Sequence, residues 1–404
     1  MSSYCHLVRT VVSLCVLSHV VMVSGQTCRT VTTFNAGLTP RIDDYPSRLK
    51  RQPAALLKED ADVICVQEYW FENDLAHMLK AVSSKYAYHF SPLHTSISYL
   101  PTFSRKRIFP ETACDPADAA YFYLRVLPCA LFRGCVPLFL QSLQEGLSCA
   151  AAKCGVVFKT FSEDCLSCIS LTATSLSALI DACKPVTNGY NNRLNGPGLA
   201  LLSKQEILSA EYRDFFPGRE LTLQRGFIEA EIKDLGTVVC SHFSAIFPYY
   251  FEYNLDFANY VQQQQAEMAV IQSRFQSRDH ILLADFNTGP QVETASSEDR
   301  VLKGEAPQNF QMWIAGGYNF TYLEDDGRCT FCRDNPVVDS NIHPNNVIDY
   351  VMFKGHYTAQ KAKRTLDESP PLSDHYGVRQ TLCIGKKDGI LRKPYNIGRN
   401  SKKN

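Results

Sequence analysis

The sequence predicts an α/β sandwich, in which two packed β-sheets are flanked by helices. Apolar runs with the pattern of strands outnumber those with the pattern of helices. Several of these runs end in polar residues of the types that carry out catalysis. The hydrophobic content of 45% is enough to fill a sizeable core.

The first block of predicted elements spans residues 29 to 92. Thr30 to Phe34 is rich in β-branched and aromatic residues, as expected of a strand. Arg48 to Leu57 has the pattern of a helix. Val63 to Val66 has the pattern of a buried strand, and polar residues follow it as far as Glu68.

The second block spans residues 196 to 384 and again mixes the two patterns. Tyr260 to Phe275 is predicted to be a helix. Five strands are predicted, at Leu199–Leu202, Phe227–Ile232, Thr237–Cys240, Ile281–Leu283 and Tyr350–Phe353.

Residues 93 to 195 differ from both blocks and predict a small, mainly helical insert held together by disulfides. They contain eight cysteines and very few charges between Cys129 and Cys183. A structureless loop of this length is improbable in a compact domain. Spaced leucines in Leu138–Leu147 and Leu171–Leu179 favour helices, whereas the pairing of the cysteines stays open.

The N-terminus predicts a secretory signal peptide over residues 1–25. Arg9 precedes an apolar stretch, Val11 to Val23, that is too short to span a bilayer, and small residues precede Gln26. Removal of this segment leaves 14 of the 16 cysteines, most of which we expect to be paired in a secreted, extracellular protein. No later stretch is long and apolar enough for a membrane helix, so a soluble mature protein is expected.

The charges of the chain predict little about its partners. The 41 basic and 41 acidic residues cancel, so the overall charge does not indicate a polyanionic partner. Residues 385–404 are basic and poor in apolar side chains, which is typical of a disordered tail. Asn319-Phe320-Thr321 is a sequence for N-glycosylation.

Six of the cysteines need an interpretation of their own. Cys165–Cys168 and Cys329–Cys332 have the spacing of a zinc knuckle, but secretion and the lack of neighbouring histidines favour disulfides. Cys65 and Cys240 lie inside predicted core strands, where we expect them to be buried as small hydrophobic side chains.

Five short segments place chemically active side chains at the ends of apolar runs. Together they supply two histidines, four carboxylates and two amides, which loops at strand ends can bring into one pocket. The segments are Thr33–Asn35, Val63–Glu68, Val238–His242, Ile281–Asn287, and the pair Ile348–Tyr350 with Ser373–His375.

In this order, the segments resemble those of the endonuclease/exonuclease/phosphatase superfamily. This is the fold of DNase I, neutral and bacterial sphingomyelinases, inositol polyphosphate 5-phosphatases and exonuclease III-like repair enzymes. The resemblance covers residues 29 to 92 and 196 to 384, and does not include the insert or the tail. It implies a four-layer, DNase I-like sandwich of two mixed sheets, with a catalytic domain over 26–384 that the insert over 93–195 interrupts.

The resemblance also implies which residues hold a metal ion. Hydrolysis of a phosphodiester needs a divalent cation, a base that activates water, and stabilisation of the leaving oxygen. Asn35, Glu68 and Asp374 match the metal-holding positions, and hard oxygen ligands suit Mg²⁺ or another divalent cation such as Ca²⁺ or Mn²⁺.

The remaining matches imply the catalytic roles. His375 matches the general base, and Asp349 matches the carboxylate that orients it. His242 matches a second histidine, which donates to the leaving group or to the non-bridging oxygens. Asp285 and Asn287 match the residues that orient the nucleophile and contact the phosphate.

Within the superfamily, the sphingomyelinase pattern matches more segments than its alternatives. Leu194–Leu199, Arg225–Phe227 and Leu372–His375 all look like counterparts in neutral sphingomyelinases. Repair enzymes lack a counterpart of His242, and DNase I-like proteins have an arginine at the position of Trp70. One difference remains, because bacterial sphingomyelinases carry an aromatic, membrane-docking hairpin where Lys361 to Leu372 contains no aromatic residue.

Aromatic residues follow two of the motifs and allow two interpretations. On loops they could hold a choline headgroup or enter a lipid interface, and in the core they would provide packing. They are Tyr69, Trp70 and Phe71 after the metal glutamate, and Phe247, Tyr249, Tyr250, Phe251 and Tyr253 after His242.

Three functions are therefore compatible with the sequence. The first is a secreted, metal-dependent phospholipase C-type enzyme that cleaves sphingomyelin or a related phospholipid at a membrane surface. The second is a secreted DNase I-like endonuclease, with nucleic acid as its partner and weak support from the basic tail. The third is an inactive family member that acts as an extracellular binding or matrix protein. No protein partner is inferred.

Overall fold

The computed structural model describes residues 27–96, 114, 121–141, 146, 149–150, 153–154, 162–172, 183, 194–217, 223–246, 257–293, 301–302, 304–338 and 345–385. The predicted signal peptide and basic tail lie outside these residues, as do Phe247–Tyr253 and most of Leu171–Leu179. Asn319 of the glycosylation sequence is described and is exposed.

Two mixed β-sheets form the centre of the molecule. The larger sheet contains β1 Cys28–Leu38, β2 Val63–Tyr69, β3 Tyr88–Phe90, β4 Ala200–Ser203, β12 Tyr357–Ala359, β13 Lys363–Thr365 and β14 Gly377–Ile384. The smaller sheet contains β5 Ile207–Asp214, β6 Gly226–Ile232, β7 Gly236–His242, β8 His280–Asp285 and β11 Asp349–Lys354. A separate pair consists of β9 Val292–Glu293 and β10 Val301–Leu302.

The strand order makes both sheets mixed. The larger sheet runs β12-β14-β1-β2-β4-β3, with β13 also beside β14, and the smaller sheet runs β11-β8-β7-β6-β5. Strands β1 and β2 are parallel, as are β7 and β8, and the other pairs in the two sheets are antiparallel. The predicted sandwich of two mixed sheets is confirmed.

Helices flank the two sheets and form part of the insert. They are α1 Tyr45–Lys58, α2 Glu72–Val82, α3 Leu127–Phe132, α4 Val136–Gln141, α5 Glu163–Thr172, α6 Tyr260–Arg274, α7 Pro307–Ala315 and α8 Tyr322–Asp325. Helices α1 and α2 pack on the larger sheet, and α6 and α7 pack on the smaller one. The order helix, sheet, sheet, helix is the four-layer arrangement that the resemblance implies.

Local sequence explains where several helices begin. Helices α1 and α7 each have a proline in the first turn, where the missing N–H costs no hydrogen bond. Helix α6 begins after Asn259, whose side chain accepts a hydrogen bond from the backbone N–H of Gln262 at 2.9 Å. Outside the insert, the elements additional to those predicted from sequence are strands β3, β5, β9, β10, β12, β13 and β14 and helices α2, α7 and α8.

A disulfide joins the two sheets through the core, and its cysteines are buried as the sequence predicts. Cys65 of β2 and Cys240 of β7 are fully buried and bonded, with a Cα–Cα distance of 5.4 Å. Side chains alternate across a strand, and both cysteines happen to face the space between the sheets. The Cα–Cα distance of the two cysteines is well below the ~10 Å that usually separates packed sheets, so the strands approach each other closely at this point.

The described part of the insert is helical and is held by four disulfides of its own. A single π-helical turn, Phe122–Val126, leads directly into α3. Helix α4 overlaps the start of the predicted helix Leu138–Leu147, half of which lies outside the described residues. The insert disulfides are Cys114–Cys165, Cys129–Cys154, Cys135–Cys149 and Cys168–Cys183.

The disulfides account for the remaining cysteines that the structure describes. Cys329 bonds to Cys332, and Cys28 bonds to Cys383 between the neighbouring strands β1 and β14. Both candidate zinc-knuckle pairs are therefore engaged in disulfides, as the sequence favours. Seven disulfides are typical of a protein from an oxidising compartment. In the described ranges, no helix combines the length and apolarity required to cross a membrane.

The insert contacts the sandwich at two points. Trp70, at the end of β2, belongs to the same hydrophobic cluster as Val126 and Ala130 of the insert. On another side, the hydroxyl of Thr39 donates a hydrogen bond to the carbonyl oxygen of Leu171. Thr39 is four residues from Asn35 in the sequence, and Trp70 is two residues from Glu68.

We expect His280 to make the stability of the fold dependent on pH. Its Nδ1 donates to the carbonyl oxygen of Arg278 and its Nε2 accepts from the hydroxyl of Tyr318, both at 2.9 Å. Burial lowers the pKa of His280 from 6.5 to about 4. Between these values the unfolded chain binds a proton that the folded chain does not, so stability falls as the pH decreases through this window, by roughly 3 kcal/mol.

A His280→Gln variant tests this expectation, because glutamine keeps hydrogen-bonding groups and does not titrate. Urea unfolding of both proteins at several pH values should give a smaller loss of unfolding free energy in the variant below pH 6.5. Identical slopes in the two proteins between pH 6.5 and 4 would contradict the assignment.

Candidate active site

The eight candidate residues lie together at one end of the sandwich. Strands β1 and β2 are parallel and carry Asn35 and Glu68 near the same end. Strands β7 and β8 are also parallel, and end at His242 and Asp285. Strand β11 runs the other way and begins at Asp349, directly beside Asp285. Asn287 follows β8, and Asp374 and His375 precede β14.

Asp285 is the residue that contacts most of the others. Its Oδ2 accepts a hydrogen bond from Nδ2 of Asn35 at 2.9 Å, and its Oδ1 accepts one from the backbone N–H of Asn287 at 2.9 Å. The same Oδ2 lies 3.4 Å from Nε2 of His242 and 3.9 Å from Nε2 of His375. Burial would raise the pKa of Asp285, but the two histidines and Asn35 outweigh it and hold that pKa at about 2.

His375 and Asp349 form a hydrogen-bonded pair. Nδ1 of His375 donates to Oδ2 of Asp349 at 2.9 Å, and both side chains are buried. Burial opposes charge on the ring, but Asp349 and Asp285 raise the pKa of His375 well above 6.5. Since Nδ1 holds the bonded proton, Nε2 is the basic atom that faces Asp285 and the other site residues.

A short disulfide-closed loop holds both members of this pair. The hydroxyl of Thr330 accepts from the backbone N–H groups of Ile348 and Asp349, at 3.1 and 3.2 Å. The next residue, Phe331, pairs with His375 in a β-bridge and places its ring 4.9 Å from the imidazole. Sequence reasoning identified the flanking cysteines and did not identify this role.

His242 is oriented by an arginine that directly precedes the neighbouring strand, β6. Nη1 of Arg225 lies 2.7 Å from Nδ1 of His242, and an arginine can only donate. Nδ1 is therefore the acceptor, and Nε2 carries the proton and points towards Asp285. Burial, and then the charge of Arg225, lower the pKa of His242. The imidazole of His242 is therefore neutral, and its Nε2–H faces Asp285, as Nε2 of His375 does.

Glu68 has an unusual backbone conformation. Its φ is 63°, a left-handed value that is costly for a residue other than glycine and is concentrated at functional sites. Asn35 donates to its Oε1 at 3.0 Å, and the indole N–H of Trp70 lies 3.4 Å from its Oε2. A side chain on Gly198 would come within 3.2 Å of the Cα of Glu68, so this approach requires glycine.

Asn35 directs its nitrogen, and not its oxygen, at the carboxylates. Its Nδ2 donates to Glu68 and Asp285, while its Oδ1 accepts from the backbone N–H of Gly37 at 2.9 Å. In this orientation Asn35 positions both carboxylates. Its role as a direct metal ligand stays a prediction.

Asp374 completes the acidic part of the site. A Cβ on Gly37 would lie 2.1 Å from its Oδ1, so the carboxylate can rest here only over a glycine. The hydroxyl of Ser373 donates to the same oxygen at 3.0 Å. Burial, and then the charge of Glu68, raise the pKa of Asp374, although the nearby charges of His375 and Arg48 oppose them.

Arg48 is a fully buried cation next to this acidic pair, which the sequence did not reveal. It donates to the carbonyl oxygens of Gly37, Ile42 and Asp43 at 2.9 to 3.1 Å, so its hydrogen bonds go to the backbone. Its charge acts on Asp374 and Glu68 through space. In the sequence, Arg48 is one residue of a predicted helix, and no motif distinguishes it from the others.

The chemistry of Glu68 and Asp374 fits a divalent cation. Both supply carboxylate oxygens, the donors that Mg²⁺ and Ca²⁺ prefer, and the two charges disfavour each other without a cation between them. Asp285, Asp349 and His375 also converge within 4.8 Å, but hydrogen bonding and proton transfer explain this group. Cys329 and Cys332 lie near Asp334 and are bonded to each other, so they are not metal ligands.

Comparison with known proteins gives a family for this geometry. The Endonuclease/Exonuclease/phosphatase family matches residues 32–375, which includes all eight site residues. The chain belongs to this family. Members of the endonuclease/exonuclease/phosphatase family are hydrolases of phosphate esters. No curated protein matches the sequence.

Solved structures that are similar to the chain share little sequence with it. An endonuclease/exonuclease/phosphatase protein from Beutenbergia cavernae is 13% identical, with a TM-score of 0.48, over 89% of this chain and 72% of its own. Sphingomyelinase C from Streptomyces griseocarneus is 14% identical, with a TM-score of 0.46, over 88% and 99%. A beta toxin mutant from Staphylococcus aureus with bound magnesium ions is 12% identical, with a TM-score of 0.48, over 89% and 100%.

Within this family member, the aromatic residues after Glu68 are packing residues. Tyr69 is fully buried and Trp70 is 2% exposed, so neither ring is available to a headgroup or a membrane. The Trp70 ring centroid lies 6.3 Å from that of His242 and 5.7 Å from the guanidinium carbon of Arg225. Trp70 therefore separates the insert from the site and contacts both.

We expect loss of the Cys329–Cys332 disulfide to reduce catalysis without preventing folding. A Cys329→Ser/Cys332→Ser variant frees the loop that positions Asp349 and His375, and misplacement by about 1 Å can lower a rate about a hundredfold. We expect kcat to fall about tenfold or more with little change in KM.

The matched control is Cys28→Ser/Cys383→Ser, which removes a disulfide at the opposite end of β1 from Asn35. Its kcat should equal that of the unmodified protein at temperatures where both are folded. If both double variants lose kcat equally, the loop has no specific positioning role.

Proposed function

We propose that the chain is a secreted, metal-dependent phosphodiester hydrolase that cleaves phospholipid headgroups in the manner of a phospholipase C. The observation that carries this proposal is the convergence of two functional groups on Asp285. A hydrogen-bonded His375–Asp349 pair lies on one side, and Glu68, held by Asn35, lies on the other. The seven disulfides and the predicted signal peptide support secretion.

The residues divide the work of hydrolysis between them. A divalent cation held by Glu68 and Asp374 would neutralise charge on the phosphoryl oxygens and stabilise the leaving oxygen. Nε2 of His375 takes the proton of the attacking water, and Asp349 stabilises the imidazolium that forms. The oxygen of that water bonds to phosphorus as the bond to the lipid oxygen breaks. The proton that His375 took from the water returns to the leaving lipid oxygen, so the products are a phosphomonoester of the headgroup and the lipid alcohol.

His242 and Asn287 act on the oxygens of the phosphate. Nε2–H of His242 faces the site and stays neutral, so it can donate to a non-bridging oxygen or to the leaving oxygen. The side-chain nitrogen of Asn287 lies 3.2 Å from the same Nε2 and donates to the carbonyl oxygen of Phe243. Asp285 remains ionised and orients the water and His375.

The balance of charge favours a lipid over a nucleic acid as the substrate. The formal charge of the chain is zero, whereas proteins that bind nucleic acids usually present a strongly basic surface. An endonuclease is the alternative outcome of the test below.

The substrate class is tested by assaying the purified protein side by side on sphingomyelin liposomes, duplex DNA and inositol phosphates. We expect release of the phosphorylated headgroup from the liposomes, complete loss of release with a chelator, and recovery when Mg²⁺ is added back. Cleavage of DNA alone would assign the chain as a nuclease. Turnover that persists in the chelator would contradict metal dependence, and no turnover on any substrate would indicate a binding protein.

Variants of two residues test the site itself. His375→Ala and Glu68→Gln should each lower kcat/KM by at least about a hundredfold, because the first removes the base and the second a metal-binding charge. Thermal unfolding should remain that of a folded protein. His356→Ala is the matched control, since His356 is exposed and pairs with Asp279 outside the site. Retained activity in either site variant would refute its assigned role.

A further inference from the structure

One helix of the insert presents large apolar side chains to solvent. Leu124, Leu131 and Phe132 are 72%, 55% and 91% exposed. In the described part of the chain, one other large hydrophobic side chain, Leu208, is comparably exposed. Soluble monomers rarely gather exposed apolar side chains in one place, and such gatherings mark interaction surfaces.

The three side chains lie on the same face of the helix. The π-helical turn Phe122–Val126 continues into α3, so Leu131 and Phe132 follow Leu124 by about two turns. Val126 and Ala130 lie on the opposite face, where they are buried in the cluster that contains Trp70. The helix therefore has an inner face that contacts the catalytic domain and an outer, unburied apolar face.

Two disulfides keep the end of this outer face in place. Residues 131–134 lie between Cys129 and Cys135, which are bonded to Cys154 and Cys149. Gly134 turns the chain with a φ of 73°, and a Cβ built there would meet no atom within 4 Å. The turn protrudes into open space, and its cross-links prevent the apolar side chains from folding inward.

Basic side chains border the apolar ones. Arg125 and Arg133 are exposed next to Leu124 and Phe132, and Lys153 is exposed and donates to the carbonyl oxygen of Arg133 at 3.1 Å. The sequence from 121 to 141 contains no acidic residue. Cations around a protruding apolar tip complement an interface in which anionic headgroups surround acyl chains.

We propose that this outer face, formed by Leu124, Leu131 and Phe132 with Arg125 and Arg133, is a docking face for anionic phospholipid bilayers. The apolar side chains enter the acyl boundary while the cations contact lipid phosphates. This inference rests on the proposed lipid hydrolase for its purpose, although membrane binding does not require turnover. The inner face of the same helix reaches Trp70, whose indole lies beside Glu68, so docking keeps the site close to the membrane.

Binding is measured first, with the inactive His375→Ala protein, so that hydrolysis cannot alter the vesicles. Co-flotation with vesicles of phosphatidylcholine, with and without phosphatidylserine, gives the bound fraction. A Leu131→Ser/Phe132→Ser change should lower the binding constant by about tenfold or more, and Arg125→Glu/Arg133→Glu should remove the preference for phosphatidylserine. Leu208→Ser, on strand β5, and Lys80→Glu, on helix α2, are matched controls and should bind as the parent does.

Activity then separates docking from catalysis. In the active protein, Leu131→Ser/Phe132→Ser should lower the rate on vesicles and leave the rate on a soluble chromogenic phosphodiester unchanged. If the parent binds vesicles and hydrolyses no phospholipid, docking holds and the proposed function fails.

Three results would overturn the docking face. They are absence of vesicle binding by the parent protein, undiminished binding by Leu131→Ser/Phe132→Ser, and equal losses in that variant and in Leu208→Ser. Conversion of a dimer to a monomer by Leu131→Ser/Phe132→Ser in analytical ultracentrifugation would assign the face to a second copy of the chain instead.

Discussion

The arrangement of the site depends on one buried negative charge, that of Asp285. An isolated buried charge is costly by several kcal/mol, so the carboxylate requires donors from every side. Asn35 comes from the larger sheet and Asn287 from the loop after β8, while the imidazoles of His242 and His375 approach from the two sheets. The ends of both sheets must therefore be correctly placed against each other before all of these donors can reach the carboxylate. Two residues from His242 and three from Glu68, the Cys65–Cys240 disulfide holds the same strands together.

Three residues around the site hold its charged groups in position. They are Arg48, Arg225 and Thr330. Arg48 donates its hydrogen bonds to backbone carbonyl oxygens and does not form a direct ion pair with Asp374 or Glu68. The two carboxylates therefore stay available to a cation. Arg225 selects the tautomer of His242. Thr330 fixes the start of β11 by accepting from two backbone N–H groups.

The sequence predicted the motifs well because each combines a buried strand with a polar end, and both signals are local. It predicted neither β5 nor β14. Strand β5 is at the edge of its sheet and exposes much of its surface, and β14 is central but contains Gln380, which is buried through hydrogen bonds to Thr321 and Gln360. The partner of Cys65 and the role of Arg48 depend on which side chains meet across the core, and periodicity contains no such information.

The pairing of the cysteines has a consequence for how the chain is made. All eight insert cysteines bond within the insert, whereas Cys65 bonds to Cys240 and Cys28 to Cys383, across separations of 175 and 355 residues. During synthesis Cys65 emerges first and its partner emerges only after the entire insert. Eight other thiols are synthesised in between, and in the folded protein each of them is paired within the insert. The bond that joins the two sheets can therefore form only after the whole insert has been synthesised.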